Sequence, residues 1–336
     1  MVLDEQGRVS CRELPVPEPG PGEVLVETRA AGICGTDLAI FGGTLPTPRP
    51  IVPGHELAGV VVGLGEGVDP AWTGRRVTTE INVGACGSCW FCSRGEPTQC
   101  PSRKALGIDV NGGFSEYFVT EARLLHELPR GTSFVEGTFV EPLAAAIQTF
   151  AFRPLTEEDR WVAVFGPGKL GLLVLQVVAL EAPWAKKVVV GRGETKLNLA
   201  RRLGADEVVN SSEEDAVARL AELTGGRGAD AVVEATGNPA ALNFAARCCR
   251  PRGTLYVKST HGVETPVDVT GLVVREVQVS TSRCGPFPKA LEALRAGNVA
   301  TDPLVSGTHP LEDVGAALER AQRSDAVKVV FTQLRG

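Results

Sequence analysis

Short apolar runs change spacing near residue 150 and divide the chain into two regions. Up to about Thr149 the pattern is mainly short strands separated by Gly and Pro. Glu23 to Ala30 (EVLVETRA) alternates apolar and polar residues, which predicts a half-buried strand. Leu57 to Leu64 (LAGVVVGL) is rich in β-branched residues and does not alternate, which predicts a strand buried on both faces. Arg76 to Ile81 is a further strand candidate, and Pro15 to Gly22 (PVPEPGPG) cannot sit inside a sheet. Beyond residue 150 strands alternate with helices. Trp161 to Phe165 reads as a buried parallel strand, followed by a glycine turn and an apolar helix through Leu172 and Val178. Strands follow at Lys187–Val190, Asp230–Glu234, Leu255–Lys258 and Val277–Cys284. Between them lie helices at Lys196–Leu203, closed by Gly204, at Ser212–Leu223 and at Leu242–Cys249. Helices at Lys289–Ala296 and Leu311–Gln322 and a strand at Val327–Thr332 complete the pattern.

At 336 residues the chain is longer than one core usually supports, so two domains are expected. With 34 basic and 40 acidic residues the net charge is −6, and no long basic run is present. Nucleic acid and anionic membrane are therefore poor partners. No apolar run is long enough to cross a bilayer, and the N-terminus has no secretory pattern. Nine cysteines in a large chain without a signal suggest metal ligands in a reducing cytoplasm.

The turn after Phe165 reads Gly166-Pro167-Gly168-Lys169-Leu170-Gly171 and fits G-x-G-x-x-G. Strand, turn and helix occur in the order that builds a dinucleotide site. The first glycine permits the turn, the second admits the pyrophosphate, and the third lets the helix pack on the strand. NAD sites place an acidic residue at the end of the next strand, to bind the ribose 2′-hydroxyl. Here that strand ends in Val190-Gly191-Arg192-Gly193. Gly191 stands where the acid is usual, and Arg192 can grip a 2′-phosphate, so NADP is favoured over NAD. The alternative leaves Arg192 in solvent and gives the ribose to Glu194. Thr236 falls at the carboxyl end of a strand, where ligands bind in open α/β sheets, and Lys258 is placed to line the nicotinamide pocket.

Three zinc-ligand types stand in Cys34 (GICGTD), His55 and Glu56 (PGHE). Each alone has a plainer reading as a buried or structural residue. Cys86, Cys89, Cys92 and Cys100 form C-x2-C-x2-C-x7-C, four thiolates within fifteen residues. They can close around one structural zinc; an iron–sulfur cluster or two disulfides are the alternatives. Cys248-Cys249 reads as packing, because adjacent thiols seldom share one ion.

These pieces together resemble the zinc-dependent medium-chain dehydrogenase/reductase family of alcohol, sorbitol and threonine dehydrogenases. The matching stretches are GICGTD, GHELAG, the four-cysteine loop, GGFSEY (Gly112–Tyr117), VEPLAAA (Val140–Ala146), GPGKLG, DAVVEATG (Asp230–Gly237) and RGTLYVKS (Arg252–Ser259). The resemblance implies a GroES-like β-rich catalytic domain over residues 1–149 with two zinc sites. It implies a doubly wound Rossmann domain over 150–285 and a return to the first domain over 286–336. It implies catalytic zinc on Cys34 and His55, with Glu56 and Glu141 as the remaining carboxylates; which of the two is inner-sphere stays open. Thr36 matches the hydroxyl that bonds the substrate, and Asp37 a residue that orients His55. One departure stands out: many relatives carry a histidine where this chain has Ala39, so proton exit must use another route.

The expected activity is hydride transfer between a secondary alcohol, polyol or sugar-type substrate and NADP(H) or NAD(H). A silent dinucleotide-binding sensor or structural protein and a zinc-independent reductase of activated double bonds are the competing expectations. An exposed strand edge on the cofactor domain would favour a homodimer or homotetramer.

Overall fold

The computed structural model describes residues 1–332. Two-residue strands and one-turn helices apart, the first elements are β1 (Glu23–Gly32), α1 (Gly35–Phe41), β2 (Glu56–Leu64), β3 (Arg76–Thr79), β4 (Tyr117–Glu121), β5 (Leu125–Glu127) and α2 (Val140–Ile147). Next come β6 (Trp161–Phe165), α3 (Lys169–Glu181), β7 (Lys186–Gly191), α4 (Glu194–Arg202), β8 (Glu207–Asn210), α5 (Ala216–Leu223), β9 (Ala229–Glu234) and α6 (Ala241–Cys248). The chain closes with β10 (Cys249–Val257), α7 (Val269–Val274), β11 (Gln278–Thr281), α8 (Phe287–Arg295), β12 (Val305–His309), α9 (Val314–Gln322) and β13 (Lys328–Thr332).

Two compact units result. One comprises residues 1–141, 305–323 and 328–332; the other comprises 142–304 and 324–327. These divisions lie elsewhere than the expected 149/150 and 285/286. Gly285 packs so closely on Ala144 that a Cβ there would meet the Ala144 carbonyl oxygen at 1.9 Å. Gln176 and the Ala300 backbone exchange two hydrogen bonds, of 3.2 and 2.7 Å. Residues 286–304 therefore stay with the second unit.

The first unit holds a seven-stranded sheet in the order β12-β13-β1-β2-β3-β5, with β4 also paired to β1. Only β12 and β13 run parallel. In β1 the alternation of the sequence is met: Val24, Val26, Thr28 and Ala30 are buried. In β2 burial on both faces fails after Gly59: Val60 is half-buried and Val62 is 42% exposed. An antiparallel sheet can leave one face to water, so a β-branched run is not proof of a two-sided core.

The second unit is a six-stranded parallel sheet in the order β8-β7-β6-β9-β10-β11. Its strand order reverses beside β6, and a ligand crevice forms at the carboxyl ends of strands at such a point. Val162–Phe165, Val188–Val190 and Ala231–Val233 are all buried. So is α3 from Gly171 to Val178, as a helix apolar on every side requires. Helix α5 starts at Ala216 rather than Ser212, because the Asp215 carboxylate takes the Val217 amide at 2.8 Å and caps it there. No described helix is long and apolar enough to cross a membrane.

Asp159 anchors the entry to β6. Its side chain is buried and accepts from both Arg153 terminal nitrogens and from the Thr156 amide at 2.8 Å. Burial alone would raise the Asp159 pKa; Arg153 and Thr156 outweigh it and hold the carboxyl below its ordinary value of 3.8. That stabilisation is fully present above pH 3.8 and is lost as pH falls through the lower folded value. Asp159→Asn should cost about 2 kcal/mol at pH 7. Denaturant melts of the two proteins should converge as pH falls through the acid range.

Candidate active site

Cys34, His55 and Glu56 come from the ends of two neighbouring strands. β1 leads through Ile33 to Cys34, the N-cap of α1. His55 directly precedes β2, and Glu56 is its first residue. The His55 loop is fixed from the GGFSEY segment, where Gly113 donates to the Gly54 carbonyl at 3.0 Å and Phe114 to that of Pro53 at 2.9 Å. One donor atom from each of Cys34, His55 and Glu56 lies within 4.8 Å of the others. Glu141, in the first turn of α2, is not in that group.

Asp37 orders two of these residues. It is fully buried, and its Oδ2 accepts the Cys34 amide at 2.8 Å, closing a capping box. Its Oδ1 faces His55 Nδ1 at 3.5 Å; neither atom has a hydrogen bond, and both are buried. With Nδ1 turned to Asp37, Nε2 is the nitrogen free to bind a metal. Burial works to lower the His55 pKa, but Asp37 and Cys34 outweigh it and hold it well above its ordinary value. A thiolate, an imidazole oriented by a carboxylate, and a second carboxylate make a donor set that suits zinc. Thr36 is half-buried in the first turn of α1, and Ala39 half-buried one turn on.

Cys86, Cys89, Cys92 and Cys100 form a second donor cluster, their sulfurs all within 4.8 Å of one another. None of the nine cysteines is in a disulfide. The Ser88 and Cys89 amides hold the Cys86 thiol down to about 6. Four thiolates leave no position for substrate, as a structural zinc site requires. Cys248 and Cys249 lie elsewhere in a hydrophobic core, where burial pushes both thiols up to about 12.

In the second unit a cavity of about 960 Å³ opens at the end of β6, lined among others by Gly166, Gly168, Gly191, Arg192, Ser211 and Thr236. Gly166 has φ +95° and packs on Ala235 and Thr236, and a Cβ on Gly171 would meet the Gly166 carbonyl oxygen at 2.0 Å. Gly168, between them, has nothing within 4 Å of where a Cβ would stand. That open space lies at the start of α3, where unpaired amides and the helix dipole attract phosphate. Lys169 and Leu170 begin α3 and do not line the cavity. A Cβ at Gly191 would lie 2.4 Å from the Pro167 ring, so packing alone demands glycine there. Arg192 is exposed to the cavity, whereas Glu194 does not line it and pairs with Arg201 at 3.3 Å. The Thr236 hydroxyl donates to Glu234 at 2.5 Å. Lys258 is buried and turns its ammonium to the Ser282 carbonyl and hydroxyl at 2.9 and 2.8 Å, away from the cavity lining.

Residue-type reasoning passed over Lys328 altogether. Its side chain is fully buried and forms an ion pair with Glu56, inside the first donor cluster.

Residues 20–130 match the alcohol dehydrogenase GroES-like domain, and residues 170–296 the zinc-binding dehydrogenase family. The chain is 30% identical to D-arabitol-phosphate dehydrogenase of Enterococcus avium, over 95% of this chain and 92% of that protein. It is 32% identical to L-threonine 3-dehydrogenase of Pyrococcus furiosus, over 95% and 93% of the two chains. Among solved structures it is similar to the RspB alcohol dehydrogenase of Escherichia coli CFT073 complexed with NADH (TM-score 0.90, 30% identity, 98% of each chain). A Sinorhizobium meliloti 1021 protein described as a zinc-binding dehydrogenase, bound to NADP, gives a TM-score of 0.89 at 30% identity over 98% of each chain.

Cys100→Ser should lower bound zinc by one equivalent per chain and reduce thermal stability. Metal analysis alongside a thermal melt checks this, and an unchanged zinc content would remove the structural site.

Proposed function

The chain belongs to the zinc-type medium-chain dehydrogenase/reductase family, and from that premise we propose a specific reading of its activity and sites. It is an oxidoreductase of alcohols or polyols that uses a nicotinamide dinucleotide. Its substrates are secondary alcohols, polyols or sugar-type molecules, oxidised reversibly to ketones. One observation carries this reading: a thiolate, an imidazole and a carboxylate converge at the ends of β1 and β2.

Cys34 and His55 hold a catalytic zinc, with Glu56 and Glu141 as the carboxylates beside it, and the four-cysteine cluster holds a structural zinc. When bound, the catalytic ion supplies Lewis acidity that favours the ionised form of a substrate hydroxyl. Asp37 keeps Cys34 and the His55 ring in place for it. Thr36 relays the hydroxyl proton, accepting it as it gives up its own, and with Ala39 in place of a histidine the released proton leaves through water or ribose hydroxyls. The Gly166–Gly171 turn holds the dinucleotide phosphates. Arg192 faces the cavity and Glu194 is engaged by Arg201, which supports NADP over NAD. The unpaired cysteines support a reducing, cytoplasmic setting.

A homodimer or homotetramer is the proposed assembly. β11 is an edge strand, and Val273 and Val274 of the neighbouring α7 are 68% and 76% exposed. Light scattering should give a mass at least twice 35.4 kDa, and Val279→Lys on β11 should shift it to one chain. A monomeric wild-type protein would end this proposal.

A dehydrogenase screen over alcohols, polyols, sugars and amino-alcohols, run with NADP and NAD in parallel, tests the activity, with Cys34→Ser as the inactive control. Arg192→Ala should raise the KM for NADP roughly 10- to 100-fold, the loss of a charge-assisted bond, and change that for NAD little. Equal effects on both cofactors would refute the NADP reading.

A further inference from the structure

Lys258 is a buried lysine of the second unit to which the chemistry above gives no task. It stands one residue beyond β10 and is 8% exposed. Lysine is rarely buried this far unless its charge is well partnered. Its ammonium donates to both the carbonyl and the hydroxyl of Ser282, at 2.9 and 2.8 Å. Ser282 stands one residue beyond β11, the neighbouring parallel strand. The Lys258 amide donates to the carbonyl of Glu234, the last residue of β9, at 2.9 Å, and the Ser259 hydroxyl accepts the Gly237 amide at 2.8 Å. The ends of β9, β10 and β11 are therefore tied together where their ladders stop.

The loop that follows β11 is pinned as well. Cys284 has φ +52°, a left-handed conformation that a residue with a side chain adopts only at a cost. Gly285 lies against the Ala144 carbonyl, closer than any Cβ allows. Residues 282–285 are thus fixed by Lys258, by the turn at Cys284 and by the packing of Gly285. A mere connection to α8 does not call for this, since most loops run mobile over the surface. The position of the loop gives it a purpose. In the reading above the adenosine lies by Arg192 at the end of β7, and the pyrophosphate by Gly168 at the end of β6. The nicotinamide nucleoside must then run the other way, over β9 and beyond. Neighbouring strands lie roughly 5 Å apart, so roughly 10 Å of nucleoside reaches β10 and its border with β11. Lys258 and Ser282 meet at that border.

We propose that Lys258 is a positioning residue for the nicotinamide half of the cofactor: it clamps residues 282–285 into a wall against which the nicotinamide ring rests. This role rests on the dinucleotide reading above. Lys258 acts through Ser282 and holds no part of the adenosine or of the phosphates. Its loss should loosen one end of the bound cofactor and leave the other end as it was. A lysine with a merely structural role in the sheet predicts something else, an equal loss along the whole site.

Titration calorimetry of the full-length chain separates the two. NADH and NADPH are set against ADP-ribose and 2′-phospho-ADP-ribose, which lack the nicotinamide. Lys258→Met should weaken the tighter-bound dinucleotide roughly tenfold, the equivalent of one charge-assisted hydrogen bond. Its affinity for the matching ADP-ribose should stay at the wild-type value. Ser282→Ala removes the hydroxyl and leaves Lys258 on the carbonyl. It should show the same selective loss at a smaller size, roughly threefold, as the loss of a single bond to a hydroxyl predicts. This second variant carries the test if Lys258→Met does not fold. Equal losses for dinucleotide and ADP-ribose, or no loss for the dinucleotide, overturn the proposal. A wild-type chain that binds none of the four ligands would instead sink the cofactor reading itself.

Discussion

The register of three strands at Gly32 sets the geometry of the first unit. Gly32 faces Glu56 on β2 along one edge of β1 and Val330 on β13 along the other. The Ile33 amide then donates to the Val329 carbonyl at 2.9 Å. Those pairings deliver Cys34 from the middle strand, His55 and Glu56 from one neighbour, and Lys328 from the other. A slip of one residue between any two strands would turn every side chain to the opposite face and scatter the group. Because β13 comes from the far end of the chain, the sheet closes on this point only when both termini of the unit are in place.

The second unit solves a different problem with different means. Its sheet is parallel and covered, so its strands need only be apolar, and its chemistry is confined to loops at their carboxyl ends. The turn after β6 carries little side-chain chemistry. Two glycines there are fixed by close backbone packing, and the third is left open toward the helix start. Binding specificity then falls to the few side chains that rim the cavity, Arg192 among them.

Much of this was legible in the sequence, for physical reasons that differ from case to case. Alternation in β1 was readable because one face of that strand is buried and the other is not. Cys34, His55 and the four-cysteine loop were readable as candidate donors because few residue types bind zinc, and in each group the donor atoms do come together. The two-sided burial expected for β2 was misread, since β-branched residues suit an exposed strand face as well. The helix expected from Ser212 begins later, because Asp215 caps it three residues on. The return of the chain was drawn too early because nothing in the local pattern reveals that Gln176 reaches Ala300. Lys328 was invisible for the strongest reason of all. A lysine opening an apolar strand reads as a solvent-facing end, and its partner lies 272 positions away.

The contact between Pro167 and Gly191 has a bearing on how the pocket can be redesigned. An aspartate introduced at position 191 to recognise a free ribose would have to place its Cβ 2.4 Å from the Pro167 Cδ. An exchange at position 191 is thus tied to Pro167, whose ring occupies the space that a side chain there would need. Any route from one dinucleotide to the other that passes through this strand end must change both residues at once, or leave the strand alone and work through the loop that follows it.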